Sequence, residues 1–304
     1  MSLEVIQNQR LLGDKSTEDA IKNHDKFKVL SPNEQLEVIV SDLIENEKIN
    51  YGNLEFFLKQ EEINGNDYIN NEYFKLIQLI RWLDEANGKD KVETIINTKM
   101  IELCLPKIIT IKNKITTKNL ELYAKNLNKV KGDGLDKLIL LLTIFPKNPS
   151  IEIVNKLDLG ENGAKYILAL DIMEDFTIIN DKVELKRFIY KYGLDFYDYM
   201  FKLSANYIKA YEFPEYRYLS KKYLIEDIYT NEEPIFPEDL AIDENDLVEN
   251  GITDSDGAKE MLLLLTEHIH NKPFKNKRVV LLEESEKLKK SKIKRIFRKV
   301  NWIR

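Results

Sequence analysis

The chain has 304 residues, with 46 Lys+Arg against 52 Asp+Glu, a formal charge of −6, 43% hydrophobic residues and 32% charged ones. That balance supplies both buried cores and a solvated surface, which excludes global disorder, and the length suits two or three compact units. The single cysteine, Cys104, excludes an internal disulfide and sits in an apolar stretch, which reads as an inert core thiol. No stretch approaches the ~18–20 apolar residues needed to span a bilayer; the longest, Leu138 to Phe145, stops at Pro146. The start, Met1-Ser2-Leu3-Glu4, lacks a basic segment followed by an apolar run, so the expectation is a cytoplasmic protein without a membrane partner.

Apolar spacings of three and four recur along the whole chain and strict alternation is rare, so the expected fold class is all-α: an elongated array of short helices. Residues 1 to about 90 read as an acidic, Asn-rich, neck-like helical region. Within it Ser31-Pro32-Asn33-Glu34 predicts a helix start, with Ser31 as N-cap, Pro32 at the first position and Glu34 closing a capping box. Leu36, Ile39, Val40, Leu43 and Ile44 follow on one stripe. A polar loop is expected at Asn64-Gly65-Asn66-Asp67, then a helix whose face is Phe74, Leu76, Ile77, Leu79, Ile80 and Leu83, ended by Asn87-Gly88.

Residues 91–222 are richest in apolar runs and read as a helical body. Asp181 opens a helix carrying Val183, Leu185, Phe188, Ile189 and Tyr192, which ends at Gly193. Twelve aromatic residues crowd the stretch from Tyr190 to Tyr223, and packing between helices is preferred there to a stacking platform for bases, because Asp195 and Asp198 dilute the neighbouring lysines.

Residues 223–304 read as a helical tail domain ending in a basic helix. From Asn271 onward there are 13 Lys+Arg against three Glu, a local +10 that leaves about −16 on the rest. Ile293, Ile296, Phe297 and Val300 fall at helical spacing beside Lys287, Lys289, Lys290, Lys292, Lys294, Arg295, Arg298 and Lys299, the candidate RNA-binding residues.

Catalytic motifs are missing. The three histidines, His24, His268 and His270, are too few and wrongly spaced for a shared metal; His268 and His270 read as one semi-buried and one solvated ring. No glycine-rich phosphate loop or nucleophile elbow occurs. Asp254-Ser255-Asp256 sits before a helix, where Asp254 is expected as an N-cap rather than a metal ligand. No catalytic residue and no metal site is assigned.

The segment Phe236 to Leu282 holds an Asp-Leu (Asp246-Leu247) near a Gly-Ile (Gly251-Ile252), a leucine-rich helix from Ala258 to His268, and Asn276, expected to N-cap the last helix. Upstream stand Lys165-Tyr166-Ile167-Leu168-Ala169-Leu170, Glu184-Leu185-Lys186-Arg187-Phe188 and Lys191-Tyr192-Gly193. This order resembles the neck, body and tail of bacterial CCA-adding tRNA nucleotidyltransferases and their poly(A) polymerase relatives, over residues 223–284 and more loosely over 137–222. Leu138 to Lys147 resembles a stretch where some relatives carry a His-Asp pair; Thr143 and Ile144 stand there instead. The nucleotide-selecting Glu-Asp-x-x-Arg has only an echo in Glu18-Asp19-Ala20-Ile21-Lys22, and it is not carried over because lysine lacks the planar fork. The resemblance implies a module that grips tRNA or other structured RNA by shape and phosphate charge, the catalytic head not being found in the chain. Transfer of CMP and AMP from CTP and ATP with magnesium would need that head, so no cofactor is expected in this chain. The alternative is a headless protein-interaction scaffold of the same fold, and a homo-oligomer stays open.

Overall fold

The computed structural model describes residues 23–45, 50–64, 69, 71–85, 91–106, 108, 109 and 114–301, with side chains of the last helix described as far as Lys290. Fifteen α-helices and three short 3-10 turns make up the regular structure among them, with no strand, so the all-α expectation holds. They gather into two compact units, one within residues 1–177 and 200–214, the other in 178–199 and 215–304.

The first unit opens with α1 (His24–Lys28), capped by the Asn23 side chain, and α2 (Pro32–Glu45). The expected capping box forms at α2: the Glu34 carboxylate accepts from Ser31 N at 2.8 Å, and Ser31 Oγ accepts from Glu34 N at 3.4 Å. Helix α3 (Tyr51–Ile63) leads to α4 (Glu72–Glu85), whose residues from Lys75 to Ile80, with Trp82 and Leu83, are all buried. A helix buried all round belongs at the centre of its unit. Accordingly α4 packs against α2, α5 (Lys91–Cys104) and α7 (Gly134–Leu142). The predicted terminator Asn87-Gly88 and most of the 64–67 loop lie outside the described residues.

The contact of α4 with α7 is the most extensive one between two helices among the described residues. A Cβ at Gly134 would stand 2.1 Å from Ile80 O, so only glycine admits this approach. Lys137 on α7 donates its ammonium to Leu83 O at 2.7 Å and Asp84 O at 3.0 Å, carbonyls of the last turn of α4 where cations are favoured. Buried Lys75 pairs with Glu61 at 3.2 Å. Helix α6 (Lys114–Asn126) packs on α5, and α8 (Lys147–Lys156) and most of α9 (Glu161–Ile178) complete the unit's continuous chain. Residues 200–214 return to the same unit: Asn126 Nδ2 donates to Ala210 O at 3.2 Å, Asn206 brackets Lys131, and Tyr211 OH donates to Leu140 O at 2.9 Å.

In the second unit α10 (Lys182–Tyr192) is capped by Asp181, which accepts from Val183 N and Glu184 N, and ends at Gly193 with φ +84°, as expected. It is followed by the start of α11 (Leu194–Ala210), then α12 (Tyr216–Thr230), α13 (Glu244–Glu249), α14 (Ser255–His270) and α15 (Arg278–Asn301). Buried Lys186 and half-buried Lys182 both donate to Glu233. Burial alone would raise the Glu233 carboxyl, but the hydrogen bonds and charges of these two lysines outweigh it and hold it below the usual carboxylate range. The core joins Leu240, Leu247, Ile252, Leu265, Ile269 and Leu281, all buried, with Leu282 and Leu288 of α15 packed on it.

Candidate functional site

The basic end of the chain is built on α15. Leu281, Ser285 and Leu288 sit at spacings of four and three, so one stripe of the helix faces the core, and Ser285 Oγ donates back to Leu281 O at 2.7 Å. The helix start is fixed by Arg278, whose Nε and Nη2 both donate to Asp246 Oδ1, at 2.9 and 2.6 Å. Asn276 is not the N-cap of α15, which begins two residues later. Its Oδ1 accepts from Ala241 N at 2.8 Å and its Nδ2 donates to Asp239 O at 2.9 Å, so it ties the preceding turn to the 239–241 segment.

Of the eight basic residues selected from sequence, Lys287, Lys289 and Lys290 are described. All three lie on the helix; Lys287 and Lys290 keep side-chain exposures of 64% and 72%. Lys287 reaches Glu284 at 3.3 Å, Lys289 reaches Gly251 O at 3.3 Å and Lys290 reaches Glu286 at 3.2 Å. Exposed pairs of this kind are weak and screened, so a phosphate can displace them. The helix backbone continues through the positions of Lys292, Lys294, Arg295, Arg298 and Lys299, whose side chains lie outside the described residues. Helical spacing sets positions 287, 290, 294 and 298 on one stripe, turned away from the 281, 285 and 288 stripe. Glu284 collects Lys275 at 3.1 Å and Lys287 at 3.3 Å, with His268 at 3.7 Å; the Lys275 hydrogen bond foremost keeps its carboxyl below the usual range.

The aromatic group divides. In the first unit Tyr207, Tyr211 and Phe213 pack against one another with ring centroids 5.0–6.4 Å apart, with Tyr123 at 6.0 Å from Tyr211. In the second, Tyr192 meets Phe188 and Phe196 at 4.8 and 5.8 Å, and Tyr197 is buried. These rings pack helices. Tyr216 and Tyr223 remain exposed.

The chemistry-bearing residues elsewhere serve structure. Asp254 Oδ1 accepts from Gly257 N at 2.9 Å and caps α14, as expected. Asp195 and Asp198 are exposed on α11. His24 Nδ1 pairs with Asn53 Oδ1 at 2.7 Å. His270 is buried and His268 half-buried, so neither ring is the solvated one that sequence predicts; His270 is drawn in by Ile235 O, 2.9 Å from its Nε2. Among the described residues no three His, Cys, Asp or Glu side chains converge to hold a metal. Glu18–Lys22 lies outside the described residues. Also among the described residues, no helix is long and apolar enough to cross a membrane.

The buried lysines are missed in the sequence reading. Lys186 sits on the inner face of α10 and Lys75 on that of α4; a single charged residue inside an apolar stripe is the one legible signal, and it does not name the partner. Comparisons with protein-family models, curated proteins and solved structures give no match.

Proposed function

We propose that this chain is the RNA-holding helical part of a protein resembling the CCA-adding and poly(A) polymerase nucleotidyltransferases, and that it works in the cytoplasm. It grips tRNA or another structured RNA by shape and phosphate charge and does no nucleotide transfer itself. One observation carries the reading: after Glu286 the chain has nine basic residues and no acidic one, eight of them at positions on a helix that extends to Asn301, while the chain before Asn271 carries about −16. A rod of positive charge follows a phosphate backbone, and an acidic body prevents indiscriminate coating of nucleic acid. The order of the tail segment, Asp246-Leu247, Gly251-Ile252 and Asn276, supports the family resemblance.

The test is a filter-binding titration of tRNA and of an unstructured strand of equal length at two salt concentrations. Tighter binding of tRNA is expected, with log K falling against log salt at a slope of roughly −4 to −5 for five or six phosphate contacts. Lys294→Glu with Arg298→Glu should shallow that slope by about two. Equal affinity for both strands, or binding indifferent to salt, overturns the reading in favour of a protein-interaction scaffold.

A further inference from the structure

A groove of about 700 Å³ in the second unit has no part in the RNA reading; it lies between the 237–246 segment and α14. Its floor is apolar, with Leu240 and Leu262 buried and Leu263 46% exposed beside them. Its rim is acidic: Glu238, Asp243, Glu244 and Asp246 stand against a single Lys259. Asp243 caps α13 and Asp246 holds Arg278. The carboxylates of Glu238 and Glu244 have no hydrogen bond or ion pair among the described residues.

An acidic groove with an apolar floor complements a basic helix with an apolar stripe, and this chain carries one. Its last turns combine Ile293, Ile296, Phe297 and Val300 at helical spacing with lysines and arginines and no acid. Its own groove is out of their reach. Asp246 and Ala241, both in the groove wall, are bound to Arg278 and Asn276 at the start of α15, so the groove lies beside that start. At ~1.5 Å per residue, Ile293 and Val300 are about 22 and 33 Å further along one continuous helix. A helix does not return to its own origin.

We therefore propose that the groove receives the C-terminal turns of α15 from a second copy of this chain, by reciprocal exchange that closes as a two-fold dimer. Apolar burial holds the tail in place, and the charge contrast steers it and sets its register. Exchange in both directions fills both grooves; insertion in one direction only would leave an open end on each copy and propagate as a filament.

Sedimentation velocity of the full chain across the micromolar range tests this. The expected result is a dimer at low salt whose dissociation constant rises about tenfold or more at high salt. Glu238→Lys with Glu244→Lys, checked for folding by its thermal melt, should be monomeric, as should Ile296→Asp with Phe297→Asp. An equimolar mixture of the two variants should recover a one-to-one complex, because each supplies the half that the other lacks. A labelled peptide of residues 287–304 should also bind the wild-type chain and fail to bind the groove variant. A wild type that stays monomeric at every salt, a dimer that survives the groove charge reversal, or a mixture that gives no complex overturns the proposal. The groove variant keeps its tail and no longer sequesters it in a partner, so its RNA affinity should be no weaker than that of the wild type; failure of the wild type to bind RNA bears on the proposed function alone.

Discussion

Cys104 is 1% exposed and fully enclosed, and burial pushes its thiol up to about 12. Because the thiolate is the reacting species, the native chain should modify at the rate of its unfolding when mixed with a disulfide-exchange dye, and promptly only in denaturant. Fast reaction of the native protein would contradict the burial. His270 gives a second handle. Its Nε2 faces the Ile235 carbonyl, which only accepts, so the proton sits on Nε2, and Nδ1 is buried without a partner. Burial foremost pulls this ring below its ordinary 6.5, with the Lys186 and Arg187 charges adding to the effect against the Ile235 hydrogen bond. The folded chain then binds fewer protons than the unfolded one in the window just below 6.5. Stability is full above that pH and falls as pH drops toward the lowered value, with a slope of at most about 1.4 kcal/mol per pH unit. Glu233, held below its ordinary 4.5, adds a separate loss as pH falls through its own lowered value. Urea unfolding from about pH 7.5 to about pH 5.5 should show the first decline, and His270→Phe should flatten it.

Helices here start where local chemistry tells them to. Ser31, Asp181, Asp243 and Asp254 each offer a side-chain oxygen to a backbone N–H two or three residues ahead, a contact that depends on nearby residues alone. Asp254→Ala should therefore cost about 1 kcal/mol in urea unfolding, and Asp254→Ser should recover most of it. An unchanged midpoint for the alanine variant would remove the cap from the account of α14. Gly251, φ +66°, closes α13 by the same kind of local rule: Ile252 N bonds to Leu247 O at 3.0 Å, and both side chains are buried. Pairing between helices follows no such rule. Gly134 opens α7 where a Cβ would stand 2.1 Å from Ile80 O of α4, an approach set by a residue more than fifty positions away. Gly134→Ala should force α7 off the α4 backbone and cost about 1–3 kcal/mol, despite alanine's better helix propensity. A stabilised alanine variant would show that the contact is looser than its geometry.

Across the whole molecule, charge is the property that separates one end from the rest. A chain with a formal charge of −6 should pass a polyanion column, but the +10 concentrated after residue 270 predicts retention on heparin at low salt. Removal of residues 287–304 deletes nine basic residues and no acidic one and should abolish that retention; equal retention of the shortened chain would place the polyanion surface elsewhere.

Sequence by itself determined the helical class, the helix starts at Ser31, Asp181 and Asp254, the inert thiol and the basic end, because each depends on neighbours within one or two turns or on a count of charges. Tertiary structure alone decided that residues 200–214 rejoin the first unit through Asn126, Asn206 and Tyr211, that Lys186 and Lys75 are buried against Glu233 and Glu61, and that Asn276 braces a turn instead of capping α15. It also decided that an acidic groove opens between the 237–246 segment and α14. Those contacts join residues from 14 to 84 positions apart. Local preference cannot select such partners, since they are chosen by how whole apolar faces fit once the helices exist.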